Sequence, residues 1–113
     1  MALKYFSPEK DPKMVGLSND LMRMLDLARQ MADIPFIITS GKRTPESNAV
    51  AGGVNDSSHI KGLACDIRAR NSTEVFHIIK GASCVGFKRI GIGKGHIHLD
   101  IDPEKPQNVL FVE

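Results

Sequence analysis

A chain of 113 residues suits one domain with one core, burying roughly two-thirds of the surface its unfolded form would expose, and its 42% hydrophobic and 25% charged residues are the makeup of a globular protein. The net charge of +2 comes from 15 basic and 13 acidic side chains scattered along the sequence, and the five Phe and one Tyr do not interleave with Lys or Arg, so a phosphate-tracking or base-stacking surface for nucleic acid is excluded. No apolar run reaches the ~18 residues of a membrane span, and MALKYFSPEKDPK has no signal-peptide core; a single domain over residues 1–113 is expected, monomeric, soluble and cytoplasmic as synthesised.

Leu17, Leu21, Met24, Leu25, Ala28 and Met31 recur at steps of three and four, the period of a helix with one buried face. Ser18 or Asn19 can cap it. Pro35 cannot continue that helix, and Phe36-Ile37-Ile38-Thr39 reads as a short buried strand. From Gly41 to Ser58 the sequence is rich in Gly, Pro, Asn and Ser with little apolar period, which predicts a long loop of the kind that often carries function. Leu63 to Ile67 reads as a second strand. Ser72 to Lys80 reads as a helix, capped by Asn71 or Ser72 and closed by Gly81. Phe87–Ile92, His96–Ile101 and Val109–Val112 follow as three strands. The order predicts an α+β fold, with an antiparallel sheet carrying helices on one side. Cys65 and Cys84 are too few for a disulfide framework or a cysteine zinc site and are expected as buried free thiols.

Strand alternation sorts the polar residues. His96, His98 and Asp100 share one face while Ile97, Leu99 and Ile101 take the core. Around Asp66, the residues Leu63, Cys65 and Ile67 face the core and the carboxylate faces away, where a buried charge requires a cation or several donors. His59 stands seven residues earlier at the end of the long loop, and Gly62 between them permits a tight reversal or a close backbone approach. Two imidazoles and one carboxylate that leave a fourth position for water form the donor set of a catalytic zinc ion. His77, mid-helix, is given no role, and Lys88, Arg89 and Lys94 are expected on an exposed edge.

Ser57-Ser58-His59-Ile60-Lys61-Gly62-Leu63-Ala64-Cys65-Asp66 resembles the pattern Ser-x-His-x-x-Gly-x-Ala-x-Asp of the D-Ala-D-Ala carboxypeptidase family, grouped with lysostaphin-like enzymes and the hedgehog signalling domain as LAS zinc peptidases. His96-Ile97-His98-Leu99-Asp100 resembles that family's second signature, and Ile38-Thr39-Ser40-Gly41-Lys42-Arg43 is similar to its strand ending in Ser-Gly-Tyr-Arg. The resemblance implies the hedgehog/DD-peptidase-like sheet, Zn²⁺ held by His59, Asp66 and His98, and substrate contacts from Arg43 and Ser57. The implied substrate is a peptidoglycan stem peptide cut beside a D-amino acid. Many relatives place an acidic general base three residues before the last ligand, where this chain has Gly95; His96, on the metal face, is the expected substitute, although a His-x-His strand can also direct both rings at one ion. Asp100 is expected to orient His98 or its neighbours. A carboxypeptidase releasing D-Ala is the first expectation. The rivals are an L-Ala-D-Glu or crosslink endopeptidase of the phage endolysin type, released through a membrane pore, and a zinc-binding interaction domain without hydrolysis.

Overall fold

The computed structural model describes residues 2–50 and 57–113. After a 3-10 turn at Pro12–Met14 come helix α1 (Asn19–Ala32), strand β1 (Ile38–Ser40), helix α2 (Pro45–Val50), strand β2 (Ala64–Arg68), helix α3 (Ser72–Cys84) and strands β3 (Arg89–Gly93), β4 (His96–Asp100) and β5 (Val109–Val112). The strands form one sheet in the order β1-β2-β4-β3-β5. The first three pairings are antiparallel, and β5 joins the edge of β3 in parallel. The α+β architecture is that expected from the sequence, with one parallel edge added. Among the described residues no helix is long and apolar enough to cross a membrane.

The sheet has one dry face. Cys65 and Ile67 of β2, Ile90 of β3, and Ile97 and Leu99 of β4 join Leu21, Leu25 and Ala28 of α1 and Ile78 and Ala82 of α3 in one buried cluster. Burial of that apolar area, at roughly 25 cal/mol per Å², is the main force holding the sheet to the helices. Ser18 caps α1 by accepting from the Leu21 amide at 3.1 Å, and Asn71 caps α3 by accepting from the Glu74 amide at 2.9 Å. Each side chain takes up an amide that the first helical turn leaves unpaired.

Four local expectations need correction. The 41–58 segment is not loop throughout: α2 occupies Pro45–Val50 on its exposed surface, with only Asn48 buried, so it carries no apolar period to read; residues 51–56 of that segment lie outside the described ones. Met31 is exposed, and Met22 and Ala32 are buried in its place, so the buried stripe of α1 is rotated from the predicted one. Cys65 is buried but Cys84, at the last position of α3, is exposed; both are free. Gly81 does not end α3, which runs on to Cys84.

The reason Gly81 lies inside the helix is contact with α1. A Cβ there would come within 2.4 Å of the Ala28 carbonyl oxygen and 2.7 Å of the Ala32 Cβ, so glycine lets the two helices touch backbone to backbone. Alanine is intrinsically the better helix former by about 1 kcal/mol, yet Gly81→Ala is expected to destabilise the protein by about 1–3 kcal/mol through overpacking. Urea denaturation measures it; a gain in stability would show that the helices are not in close contact.

Candidate metal centre

The face of the sheet opposite α1 and α3 carries the polar residues, and strand register sets them side by side. Asp66 on β2 lies directly across from His98 on β4, Ala64 across from Asp100, and Arg68 across from His96. On the other flank of β4, Gly91 faces His98, Gly93 faces His96 and Arg89 faces Asp100. Phe111 of β5 lies beside Gly91.

His59 reaches this face from the turn at 57–62. Gly62, at φ +73, bends the turn back, and a Cβ on it would come within 2.4 Å of the Gly16 carbonyl oxygen, so both uses expected of this glycine occur together. His59 Nε2 lies 3.3 Å from Asp66 Oδ1, and His98 Nδ1 lies 3.2 Å from the same oxygen. The two rings meet edge to face with centroids 5.2 Å apart. His59, Asp66 and His98 are all buried, and their donor atoms lie within 4.8 Å of one another. The three residues singled out from the sequence are therefore together.

Each imidazole is aimed by a hydrogen bond from its far nitrogen. His59 Nδ1 is 2.8 Å from the Gly41 carbonyl oxygen, an acceptor only, so Nδ1 carries a proton and Nε2 is the nitrogen that faces the cluster. His98 Nε2 is 2.6 Å from Asp100 Oδ2, which leaves Nδ1 for the cluster. The donor set, two imidazole nitrogens that give up any proton they carry when an ion binds and a carboxylate oxygen, with both rings held from behind, fits a divalent ion such as zinc.

The support behind Asp100 overturns one expectation. Arg89 is not on an exposed edge: alternation in β3 turns it onto the polar face opposite Asp100, where Nε donates to both carboxylate oxygens at 2.8 and 3.0 Å and Nη1 donates to the Pro106 carbonyl at 2.7 Å. A fully buried carboxylate calls for such a counter-charge. Lys88 and Lys94 are exposed as expected.

Asp102 has no solvent exposure and was missed in the sequence. It accepts from Ser58 Oγ at 2.8 Å and from Lys61 Nζ at 2.9 Å, which fixes the turn on both sides of His59. Extending the alternation of His96, His98 and Asp100 by one more step would have found it. Ser57 is buried, and its hydroxyl accepts from the His59 amide at 3.2 Å. Arg43 lies at the rim: Nε donates to Ser40 Oγ at 3.1 Å, Nη1 to Asn48 Oδ1 at 3.3 Å, and Nη2 is 3.5 Å from Asp66 Oδ2. His96 stands next to the cluster and pairs with Glu113, Nε2 to Oε1 at 2.7 Å. His77 lies apart, against the Ala32 carbonyl oxygen.

Burial favours the neutral forms here, and the pairings outweigh it. Burial raises the Asp66 carboxyl, but hydrogen bonds and charge from His59 and His98 hold it well below the usual carboxylate range. Burial lowers His98, but Asp100 and Asp66 push it up to about 9 from an ordinary 6.5. A proton on His98 thus does part of the work of an ion. Because its folded value is raised, His98 contributes stability in full below about pH 6.5 and loses it as pH rises through about 9. Asp66, with a depressed value, contributes above the ordinary carboxylate range and loses its share in stronger acid. The thermal midpoint of the metal-free protein, scanned in chelator, is expected to fall between pH 6.5 and 9, and His98→Gln to remove that decline; a flat or rising midpoint in the wild type would contradict the charged pairing.

No curated protein sequence matches the chain. Among solved structures it is similar to the Serratia marcescens L-Ala D-Glu endopeptidase ChiX, with a TM-score of 0.59 and 19% identity over 86% of this chain and 89% of that one, a likeness of fold. The sequence profile of Peptidase M15 matches residues 6–100, a stretch that holds His59, Asp66, His98 and the buried carboxylate behind them, and the chain belongs to this family of metallopeptidases.

Proposed function

We propose that the chain is a zinc-dependent peptidase that cuts peptidoglycan stem peptides next to a D-amino acid, with His59, Asp66 and His98 holding the ion. The observation that carries it is the convergence of His59 Nε2 and His98 Nδ1 on Asp66 Oδ1, each ring braced from its other nitrogen. A bound zinc ion supplies Lewis acidity and a nucleophilic water at neutral pH.

The chain's own residues do the rest. His96, on the same strand face as His98, accepts the proton of the attacking water and returns it to the leaving amine. Arg43 presents a half-buried guanidinium at the rim, suited to a carboxylate of the stem peptide. Ser57 shapes the turn by accepting from the His59 amide, and its own O–H is left to donate to the substrate backbone. Arg89 and Asp100 keep the His98 ring in one tautomer and orientation.

The L-Ala–D-Glu bond is the preferred target, supported by the shared fold with an L-Ala D-Glu endopeptidase; release of terminal D-Ala is the second reading, since the same donor set and the same Arg43 serve both. Peptidoglycan lies beyond the cytoplasmic membrane, so the proposal includes passage of the chain across it, as through a phage-type pore.

Digestion of purified stem peptides, followed by mass spectrometry, tests both the class and the bond. Cleavage between L-Ala and D-Glu, abolished by EDTA and restored by Zn²⁺, is expected; loss of D-Ala instead selects the carboxypeptidase, cleavage of crosslinked stem peptides at the bridge selects the crosslink endopeptidase, and a zinc-loaded protein that cleaves none of these bonds is a binding module. Asp66→Ala is expected to remove zinc and activity together, a loss greater than the roughly 10- to 100-fold that follows removal of an outer hydrogen-bonding partner.

A further inference from the structure

Strand β3 has no side chain on the polar face at two successive outward positions. Gly91 and Gly93 alternate there, with Ile90 and Ile92 turned toward the other face. Their bareness is required. A Cβ on Gly91 would come within 2.6 Å of the Phe111 ring and 3.2 Å of the His98 Cβ. A Cβ on Gly93 would come within 2.3 Å of both Cε1 and Nε2 of His96. The His96 ring therefore occupies the space over β3 that a side chain at Gly93 would fill.

On the far side of that space stands Glu113. The parallel pairing places Val112 beside Ile92, and the Glu113 amide donates to the Ile92 carbonyl oxygen at 2.9 Å, so its side chain rises on the polar face next to Gly93. From there Oε1 meets His96 Nε2 at 2.7 Å. Asp66, His96 and Glu113 have ligating atoms within 4.8 Å of one another, so this pair adjoins the metal centre directly.

We propose that Glu113 is a positioning residue for His96, which rests on the peptidase reading above: its carboxylate accepts the Nε2 proton and so leaves the Nδ1 lone pair as the site that takes a proton during hydrolysis. Gly93 is part of the device, because only a bare position lets a ring on β4 reach a carboxylate beyond β3. No covalent step is added. Glu113 fixes which nitrogen is basic and where the ring points, in the manner of a carboxylate orienting a catalytic imidazole.

Two measurements on the same variants test it. In the metal-free protein at alkaline pH, ¹⁵N shifts of the His96 ring are expected to show one tautomer, protonated at Nε2, in the wild type and a mixture of both in Glu113→Ala and in Gly93→Ala; the ring can swing away from a new Cβ, so the second variant is expected to fold. With zinc restored, Glu113→Ala is expected to lower kcat by about 10- to 100-fold while KM and zinc affinity stay within about twofold. Unchanged tautomers, or unchanged kcat in a Glu113→Ala protein whose His96→Ala counterpart is inactive, overturns the role of Glu113 alone. Full kcat in His96→Ala removes the base assignment itself. Titration that finds a second zinc ion per chain, lost in Glu113→Ala, makes the pair a metal site and overturns positioning.

Discussion

One carboxylate oxygen, Asp66 Oδ1, is the point on which the polar face is built. Two imidazoles approach it from different parts of the chain, one across a strand pair and one from a turn. A buried carboxylate on an apolar sheet is tolerable only with such partners, and the cluster draws in each further layer in turn: Asp100 behind His98, Arg89 behind Asp100, the Gly41 carbonyl behind His59. Each layer satisfies a polar group that burial would otherwise strand, and among the described residues no buried side-chain nitrogen or oxygen lacks a partner. The same bonds keep the three donor atoms within 4.8 Å of one another, a grouping that fits a divalent ion. Folding demands and binding demands coincide here because both are answered by orienting the same rings.

The two faces of the sheet divide the labour. On one, Ile67, Ile97 and Leu99 are sealed under α1 and α3 and supply the hydrophobic stabilisation. That rigid backing fixes the β2–β4 register, and the register alone decides that Asp66 meets His98. A slip of β2 by one residue would turn Asp66 into the core while His98 stayed on the polar face. The apolar face thus sets the geometry of the polar one without touching it.

What could be read in the sequence was what repeats locally. The alternation His96, His98, Asp100 against Ile97, Leu99 placed the polar face correctly, and the His59 to Asp66 segment announced its turn through Gly62. Contacts between distant segments left no such trace. Gly81 reads as a helix stop because its partner, the α1 backbone, is some fifty residues away in a contact no local pattern encodes. Arg89 reads as a surface residue until the sheet puts it opposite Asp100. Glu113 could not be found, since a parallel edge strand depends on a crossover, and Val109–Val112 is apolar without a period that points to its neighbour. The short helix α2 stayed hidden because a helix with one buried residue has no stripe.

The glycines of β3 set a limit on how far this fold can be strengthened. Glycine in a strand gives up about 0.5–1 kcal/mol against alanine through the freedom it loses on folding, and a β-branched residue would ordinarily improve such a strand. At Gly91 and Gly93 that improvement would fill the trough in which the His98 and His96 side chains and Phe111 lie. Thermal robustness of β3 and a clear trough for the His96 and His98 side chains are competing demands on the same two positions, and selection for heat resistance in this protein would have to find its gains on the other face.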